Sequence, residues 1–505
     1  MKKKLIGIGL LTVMLVLSAC SAPKNYDNAT SETANYEEGS EPGYGGTEIQ
    51  RYEVDGESYL TIDENREKSV EEESIVTFSL KVDTAAYTNV SRYINSGIQP
   101  PVDAVRTEEL LNYFSYENHM EYKDGPFYIS AEIADSPYSE RSKIAMVRVK
   151  TQEIDTEDMP LSNLVFLIDT SGSMDSYDKL PLLKEAFGLL TETLGENDRV
   201  SIVTYAGSSE IVLDSESGDN KAKIIKAINE LKAGGGTYGE GGIQTAYALA
   251  EKNFIEGGNN RIILATDGDF NLGVRTTGGL EDLISEKRES GIYLSILGFG
   301  MGNLKDDNME TLSKHGNGNY AYISTVSDAQ KVLVEEIGSN LFTVAKDVKA
   351  QIEFDSANMS SYRVIGYENR MLNNEDFEDD TKDAGEIGAG TDVVMLFELV
   401  LTEGEAVGDS DTLFELRIRY KEPDGEESKE VNKSVYMTDI KENASTDLNF
   451  ACAVAGFAHL LRASDALGEV NAEMVLYLAK ENIGEDKGNY RREFITTLNQ
   501  YIDMK

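Results

Sequence analysis

Residues 164–168, Leu-Val-Phe-Leu-Ile, form an apolar run that ends abruptly at Asp169. A short run rich in branched apolar side chains and bounded by polar residues is typical of a strand buried on both faces of a parallel sheet. In such sheets ligands bind just beyond the carboxyl ends of the strands, so we expect Asp169, Ser171 and Ser173 at a binding site. Taken alone, the stretch also fits a phosphate loop, a nucleophile turn or a helix cap.

The run belongs to a longer segment, residues 161–343, in which predicted strands and helices alternate. This alternation is the signature of an α/β domain with a parallel sheet. The predicted strands are 164–168, 199–205, 210–213, 261–265, 292–297 and 320–323. The predicted helices are 179–194, 220–231, 243–254, 280–290, 307–314 and 327–342. We expect a doubly wound, mostly parallel, Rossmann-like sheet.

The sequence on both sides of the α/β segment is rich in predicted strands. Residues 76–160 predict a short strand over 78–82 and two short helices over 84–94 and 103–114. The other predicted strands of this region and of residues 344–440 are 127–133, 144–149, 348–354, 393–401, 412–420 and 430–436. Because the chain ends of an inserted domain lie close together, we expect the flanking strands to form one β-sandwich that carries the α/β domain as an insertion.

Residues 441–505 predict a helical tail with two apolar faces. The residues on these faces are Phe450, Val454, Phe457 and Leu461, and Tyr490, Phe494, Leu498 and Tyr501. Packing of the helices against each other accounts for both faces, and a partner-binding face is the alternative.

The first residues predict export. A basic start at 1–4, an apolar stretch at 5–17 and small residues before Cys20 form a signal peptide spanning residues 1–19. The small residues before Cys20 also resemble the lipobox of bacterial lipoproteins, which implies cleavage before Cys20 and acylation of its thiol. An ordinary cleaved signal that happens to contain a cysteine is the alternative.

Residues 20–75 are poor in aliphatic side chains, and we expect them to form a disordered acidic tether. Order is expected to begin near Val76. The chain has two cysteines, so acylation of Cys20 leaves Cys452 without a disulfide partner. Cys452 lies in an alanine-rich helical stretch, which favours a buried structural thiol over a nucleophile.

The charge of the chain restricts its partners. There are 90 acidic and 47 basic residues, and the formal net charge is −43. Such a charge repels nucleic acid and favours a solvated, extracytoplasmic or surface protein. We therefore expect no nucleic-acid partner.

Three polar motifs lie at strand ends or loops of the α/β segment. They are Asp169-x-Ser171-x-Ser173, Gly234-Gly235-Gly236-Thr237 and Thr266-Asp267-Gly268. Together, and in this order, they resemble the metal-ion-dependent adhesion site (MIDAS) of von Willebrand factor type A domains. The resemblance implies that Ser171, Ser173 and Thr237 supply hydroxyl ligands, whereas Asp169 and Asp267 act mostly through bound water.

The ligand types predict the cation. Hydroxyl and carboxylate oxygens suit Mg²⁺, Mn²⁺ or Ca²⁺, and we expect Mg²⁺ first. Neutral hydroxyls leave the charge of the cation under-compensated and one coordination position open. In the family that this site resembles, a Glu or Asp of a protein partner typically completes the shell. Exposed charges beyond ~8 Å are screened at physiological salt, so the net charge of the chain does not prevent this contact.

Further stretches resemble a bacterial subgroup of von Willebrand A lipoproteins that has characteristic domains on both flanks. These stretches are 82–87, 100–106, 266–271 and 298–302. The resemblance covers nearly everything after Val76. The resemblance implies an architecture, but it assigns no biochemical role to the flanking domains.

Several other functions lack support in the sequence. There is no G-x-S-x-G elbow, and His119, His315 and His459 are widely separated, so we expect no enzyme. The glycines from Gly298 to Gly302 lack nucleotide-loop spacing, and no P-loop motif occurs, so we expect no nucleotide. The acidic run 375–383 lacks EF-hand spacing and favours a solvated loop. An export signal also disfavours the cytoplasmic ATPase or chelatase partners of some von Willebrand A proteins.

These observations predict a lipoprotein of the cell envelope, held at a membrane through Cys20, that binds a protein partner through a divalent cation. The alternative is an envelope scaffold or assembly factor in which the metal is only structural.

Overall fold

The computed structural model describes residues 51–54, 56–81, 83–117, 122–154, 159–268, 277–402, 411–423, 425–468 and 470–505. The predicted signal peptide, Cys20 and His119 lie outside these residues. Within the described part of the chain, no helix combines the length and the apolar character that crossing a bilayer requires.

The N-terminal part contributes short strands and two helices. In chain order they are β1 (Arg51–Val54), β2 (Glu57–Leu60), β3 (Lys68–Ser69), β4 (Ile75–Ser79), α1 (Ala85–Asn95), α2 (Thr107–Asn112), β5 (Tyr122–Asp124), β6 (Phe127–Asp135) and β7 (Lys143–Thr151).

The described residues of 51–75 do not form the disordered tether that their composition suggested. The strand β2 pairs with β1, and Glu57 and Tyr59 are almost fully buried. The composition of this segment misled because the segment packs through a buried ion pair more than through aliphatic side chains. The carboxylate of Glu57 pairs with the guanidinium of Arg92 in α1 at 2.8 Å, which makes its burial possible.

The α/β part follows the predicted alternation. Its elements are β8 (Ser162–Asp169), α3 (Leu180–Thr193), β9 (Arg199–Tyr205), β10 (Ser209–Ser217), α4 (Lys221–Glu230), α5 (Gly239–Lys252), β11 (Asn259–Thr266), α6 (Thr277–Glu289), β12 (Ile292–Phe299), α7 (Asp306–His315), β13 (Tyr320–Ile323), α8 (Val326–Gln330) and α9 (Ile337–Leu341). The strand order is β10-β9-β8-β11-β12-β13. All neighbours are parallel except β10, which pairs antiparallel with β9.

Both faces of this sheet are covered, so the doubly wound arrangement is confirmed. Phe187 of α3 and Ile224 of α4 share a core on one face, whereas Ile243 of α5 and Leu312 of α7 belong to the core on the other. Every residue of β8 is buried, as its apolar run predicts.

The helix predicted over 327–342 is divided in the structure. A π-helical turn at Lys331–Glu335 separates α8 from α9. The wider turn changes the direction in which the following side chains project, and Val332, Leu333 and Leu341 all reach the core.

The remaining strands and helices follow the α/β part. They are β14 (Thr343–Phe354), β15 (Met359–Ile365), β16 (Met371–Leu372), β17 (Ile387–Gly388), β18 (Asp392–Leu401), β19 (Thr412–Lys421), β20 (Ser428–Tyr436), α10 (Thr446–Leu461), α11 (Ala472–Glu481) and α12 (Tyr490–Asp503). The strand β15 was not predicted.

The flanking strands form the predicted β-sandwich. One sheet has the order β16-β4-β14-β19-β20, with β17 on β14, and the other has the order β3-β15-β18-β7-β6-β5. Each sheet therefore contains strands from before and from after the α/β part. Phe78, Val147, Ile352 and Phe397 come from four of these strands and share one core.

The helical tail packs internally, as predicted. The ring of Phe494 in α12 lies 5.6 Å from that of Phe450 and 5.5 Å from that of Phe457, both in α10, at near-perpendicular angles. The same core includes α1, α2 and residues of β7 and β18, so the tail covers the outside of one sandwich sheet. Cys452 is buried in it, and burial raises the pKa of its thiol to about 12, as expected of a structural cysteine.

Candidate metal centre

Asp169 is the last residue of the central strand β8, and its carboxylate is fully buried. Its Oδ1 accepts a hydrogen bond from the backbone N–H of Ser171 at 2.8 Å. Its Oδ2 accepts from the hydroxyls of Tyr205 at 3.1 Å and Thr266 at 3.2 Å. These bonds fix the carboxylate at the carboxyl edge of the sheet.

Ser171 and Ser173 lie in the tight turn that follows β8. A 3₁₀ turn at Gly172–Asp175 brings their Oγ atoms to 3.0 Å from each other. Met174 points the other way and is fully buried, which anchors the turn in the core. Ser171 is buried and Ser173 is exposed, so the hydroxyl pair reaches from the protein interior to its surface.

The glycine-rich loop carrying Thr237 is bound to the same turn. The N–H of Gly234 donates to the carbonyl of Thr170 at 2.8 Å, and the N–H of Gly172 donates to the carbonyl of Gly235 at 3.1 Å. Gly235 has a φ of +87°, which side chains disfavour. Thr237, which is half-buried, lies two residues after Gly235 in this loop.

Asp267 follows β11, the parallel neighbour of β8, and is fully buried. Burial alone raises the pKa of its carboxyl. Hydrogen bonds from Lys179, Asn303 and Ser173 outweigh that effect, and the pKa is lowered below its usual value. The bond from Ser173 connects the second aspartate directly to the serine turn.

Lys179 was not predicted as part of this site. It directly precedes α3, is 7% exposed, and its Nζ donates to Oδ2 of Asp267 at 2.8 Å and to Oδ1 of Asn303 at 3.1 Å. The only sequence signal is a lysine six residues after Ser173, at the start of an amphipathic helix. Its distance from Asp267 along the chain hides the contact.

The residues of the centre fit a hard divalent cation. Two buried carboxylates face one ammonium, and no lysine or arginine among the described residues forms an ion pair with Asp169. Burial, the largest cause, and the nearby Asp267 together raise the pKa of Asp169 to about 6, although hydrogen bonds from Ser171 and Tyr205 act in the opposite direction. The carboxylates of the two aspartates and the hydroxyls of the predicted ligands are oxygen donors of the kind that such an ion prefers. The exposed Ser173 leaves one side of the centre open to solvent.

A second group of carboxylates lies elsewhere in the fold. Oxygens of Asp347, Asp383 and Glu386 lie within 4.8 Å of one another. Lys421 donates to Asp347 at 2.8 Å, and Arg288 donates to Asp383 at 2.8 Å. Protein cations thus already balance two of the three carboxylates in this cluster, in contrast to Asp169.

Matches to three protein-family models define the class of protein to which this chain belongs. Residues 163–337 match the family model described as von Willebrand factor type A domain, and residues 53–146 match one described as von Willebrand factor. Residues 339–504 match the model of the YfbK C-terminal region. The chain is thus a von Willebrand A domain protein with domains on both flanks.

The chain belongs to the YfbK family. It is 44% identical to YfbK of Escherichia coli K12 over 460 residues, which are 86% of this chain and 80% of that protein. It is also 31% identical to the protein sll0103 of Synechocystis over 196 residues, 39% of this chain and 45% of that one. A solved structure of a von Willebrand factor type A protein from Catenulispora acidiphila matches with 17% identity and a TM-score of 0.42, covering 75% of this chain and 91% of that one.

Proposed function

We propose that this protein binds a protein partner through a divalent cation, most simply Mg²⁺ with Mn²⁺ or Ca²⁺ as substitutes, held by Asp169, Ser171, Ser173, Thr237 and Asp267. The observation that carries the proposal is the meeting of two fully buried carboxylates with a hydroxyl pair that reaches the surface. The cation would supply a Lewis-acidic point that accepts a carboxylate from the partner.

The placement of charge supports recognition at this centre. The hydroxyls add no negative charge, and Lys179 compensates Asp267. A cation at this place therefore keeps positive charge directed at the exposed edge, where Ser173 lies. A partner aspartate or glutamate would meet that charge directly, whereas the acidic surface of the chain is screened.

We further propose that the protein is a lipoprotein of the cell envelope, acylated at Cys20. The basic start, apolar stretch and lipobox-like residues before Cys20 support this proposal. Anchoring would present the metal centre to partners at the membrane surface.

Calorimetric titration of Mg²⁺ and Mn²⁺ tests the site. Wild-type protein is expected to bind one ion, Asp169→Ala is expected to bind none, and Asp219→Asn, which changes an exposed carboxylate away from the centre, is expected to bind as wild type does. Equal binding by wild type and Asp169→Ala would refute the site.

A pull-down from envelope extract tests recognition. The main partner is expected to bind in Mg²⁺, to be released by EDTA, and to be absent with Asp169→Ala. A partner that persists in EDTA, together with normal metal binding, would instead support the alternative of an envelope scaffold with a structural metal. The full burial of both carboxylates is the observation that favours that second candidate.

A further inference from the structure

The strand β2 reaches the loop that follows β12, at residues 300–305, which we call the glycine loop. The backbone N–H of Ser58 donates to the carbonyl of Leu304 at 3.0 Å, and Ser58 forms a parallel bridge with Lys305. The hydroxyl of Ser58 also donates to Asp307 at 2.6 Å, at the start of α7. Residues 56–60, which we call the strap, are therefore bound through Ser58 both to the glycine loop and to the start of α7.

Glu57 is the main side-chain contact of the strap. Its Oε1 accepts the backbone N–H of Gly302 at 2.8 Å. Both of its oxygens accept from the guanidinium of Arg92 at 2.8 Å, and the hydroxyls of Tyr59 and Tyr93 donate to Oε2 at 2.7 Å. A buried carboxylate that accepts this many hydrogen bonds is held in one position. Through its bond to the Gly302 N–H, Glu57 also fixes the backbone of the glycine loop.

The backbone of the glycine loop is also in close contact with the strap. A Cβ built on Gly56 would lie 2.7 Å from the carbonyl oxygen of Gly302, and Gly56 has a φ of +89°. The hydroxyl of Tyr322 donates to the carbonyl of Gly300 at 2.7 Å, and Arg92 lies over the Tyr322 ring. The loop is thus held at two backbone positions by one connected cluster.

The other side of the glycine loop contacts the metal centre. A Cβ on Gly300 would lie 2.3 Å from Cγ and Cε of Lys179, so the loop packs directly on the stem of that lysine. Asn303 accepts from Lys179, and a Cβ on Gly268 would lie within 2.7 Å of Asn303, Leu304 and Lys305. The glycine loop therefore positions both Lys179, the ammonium partner of Asp267, and Gly268, the residue that follows Asp267.

We propose that the strap regulates the metal centre: it holds the glycine loop in the position that keeps Lys179 and Asp267 in place, and its release weakens cation binding. Glu57 is a positioning residue of the centre. The proposal rests on the cation binding proposed above. Because coupling between two sites is reciprocal, bound cation also stabilises the docked strap.

Titration of the full chain with Mg²⁺ tests the coupling. Glu57→Gln keeps the shape of the side chain but removes its charge, and we expect affinity for Mg²⁺ to fall by about tenfold, as for other residues that orient metal ligands indirectly. The matched control is Glu368→Gln, which removes a buried ion pair with Arg462 (3.0 Å) that does not contact the glycine loop. The control is expected to bind Mg²⁺ within about twofold of wild type, the scatter we allow for an uncoupled site.

Hydrogen exchange of the wild type gives a readout that does not require Glu57→Gln to fold. Saturating Mg²⁺ is expected to slow exchange in peptides covering residues 56–60 and 300–305 of the wild type, and to leave both unchanged in Asp169→Asn. Two results would overturn the coupling but not the proposed function, provided that the wild type binds Mg²⁺ normally. One is an unaltered Mg²⁺ affinity of Glu57→Gln, and the other is unaltered hydrogen exchange of the strap when Mg²⁺ is added to the wild type. Absence of Mg²⁺ binding by wild type would overturn the proposed function, and the coupling with it.

Discussion

The ammonium of Lys179 lies 2.8 Å from Oδ2 of Asp267, and both side chains are almost completely buried. The carboxyl edge of the sheet therefore carries its own fixed positive charge beside the proposed cation. Asp267 is held ionised and oriented by this contact, whereas the donors that bind Asp169 within the described part of the chain are all neutral. The two aspartates are in this way given different electrostatic surroundings.

Lys179→Met is expected to lower the free energy of unfolding of the metal-free protein by about 3–5 kcal/mol, because it leaves the buried carboxylate of Asp267 without its cation. Urea unfolding in EDTA measures the change. Lys226→Met, at a side chain 74% exposed with only a distant ion-pair partner, is expected to change stability by under about 1 kcal/mol. Similar losses in both variants would contradict the role of the buried pair.

Mg²⁺ is expected to stabilise the folded protein by about 2.7 kcal/mol at a concentration one hundred times the Kd. Chemical unfolding with Mg²⁺ and with EDTA measures this difference. Asp169→Asn is expected to abolish it, and Asp347→Asn, in the second carboxylate cluster, is expected to retain it. Loss of the effect only in Asp347→Asn would move the metal centre to that cluster.

Arg106 lies in a buried charge network between the N-terminal helices and the α/β part. Its guanidinium contacts Glu109 and Asp306, both at 2.6 Å, and all three side chains are at most 2% exposed. Arg106→Met is expected to cost about 3–5 kcal/mol because two buried carboxylates lose their nearest cation. Among the described residues, only the more distant Arg370, at 3.7 Å, still pairs with Glu109. Arg417→Met, which breaks a partly exposed pair with Glu430, is expected to cost under about 1 kcal/mol in the same unfolding experiment.

Glu57 predicts a pH dependence of stability. Burial raises its pKa, but the contacts with Arg92 and Tyr59 outweigh this and lower the pKa to about 2 from the usual 4.5. A lowered pKa means that the contribution is complete above about pH 4.5 and is lost as the pH falls towards 2. The shift corresponds to about 3 kcal/mol at neutral pH.

The difference in unfolding free energy between wild type and Glu57→Gln isolates this contribution. It is expected to be constant from pH 7 to about 5 and to shrink below that value. Glu72→Gln, at an exposed residue, is expected to show little difference at any pH. A difference that grows on acidification would have the wrong sign for a carboxylate with a lowered pKa.

Cys20→Ser is expected to move the protein from the membrane fraction to the soluble fraction. Acyl chains hold a protein at a bilayer through burial of their methylene groups, which the serine variant lacks. Fractionation followed by immunoblotting measures the distribution, and Cys452→Ala serves as the control that keeps the lipidation residue. Membrane retention of Cys20→Ser would show a different anchor.

Much of the fold was predictable because its signals are local. The apolar run before Asp169 predicted a strand that the structure buries completely, and the alternation after it predicted the doubly wound sheet. The strand β15 was missed: its polar residues Ser360, Ser361 and Arg363 interrupt the apolar pattern, and pairing with β18 decides its conformation.

Asp169, the two serines and Asp267 lie at one edge of the sheet because the parallel strands β8 and β11 end there together. Lys179 and Glu57 could not be found in the same way. Neither belongs to the motif that the sequence displays, and Glu57 lies in a segment whose composition suggested disorder.

The sequence by itself determined the alternation of strands and helices in the α/β part and the chemistry of the motif residues, because periodicity and residue type are properties of neighbours along the chain. Only the tertiary structure decided that Glu57 would bind the loop after β12 and that Lys179 would face Asp267. Burying these charges is favourable only when each meets its partner, and those partners come from segments far apart in sequence.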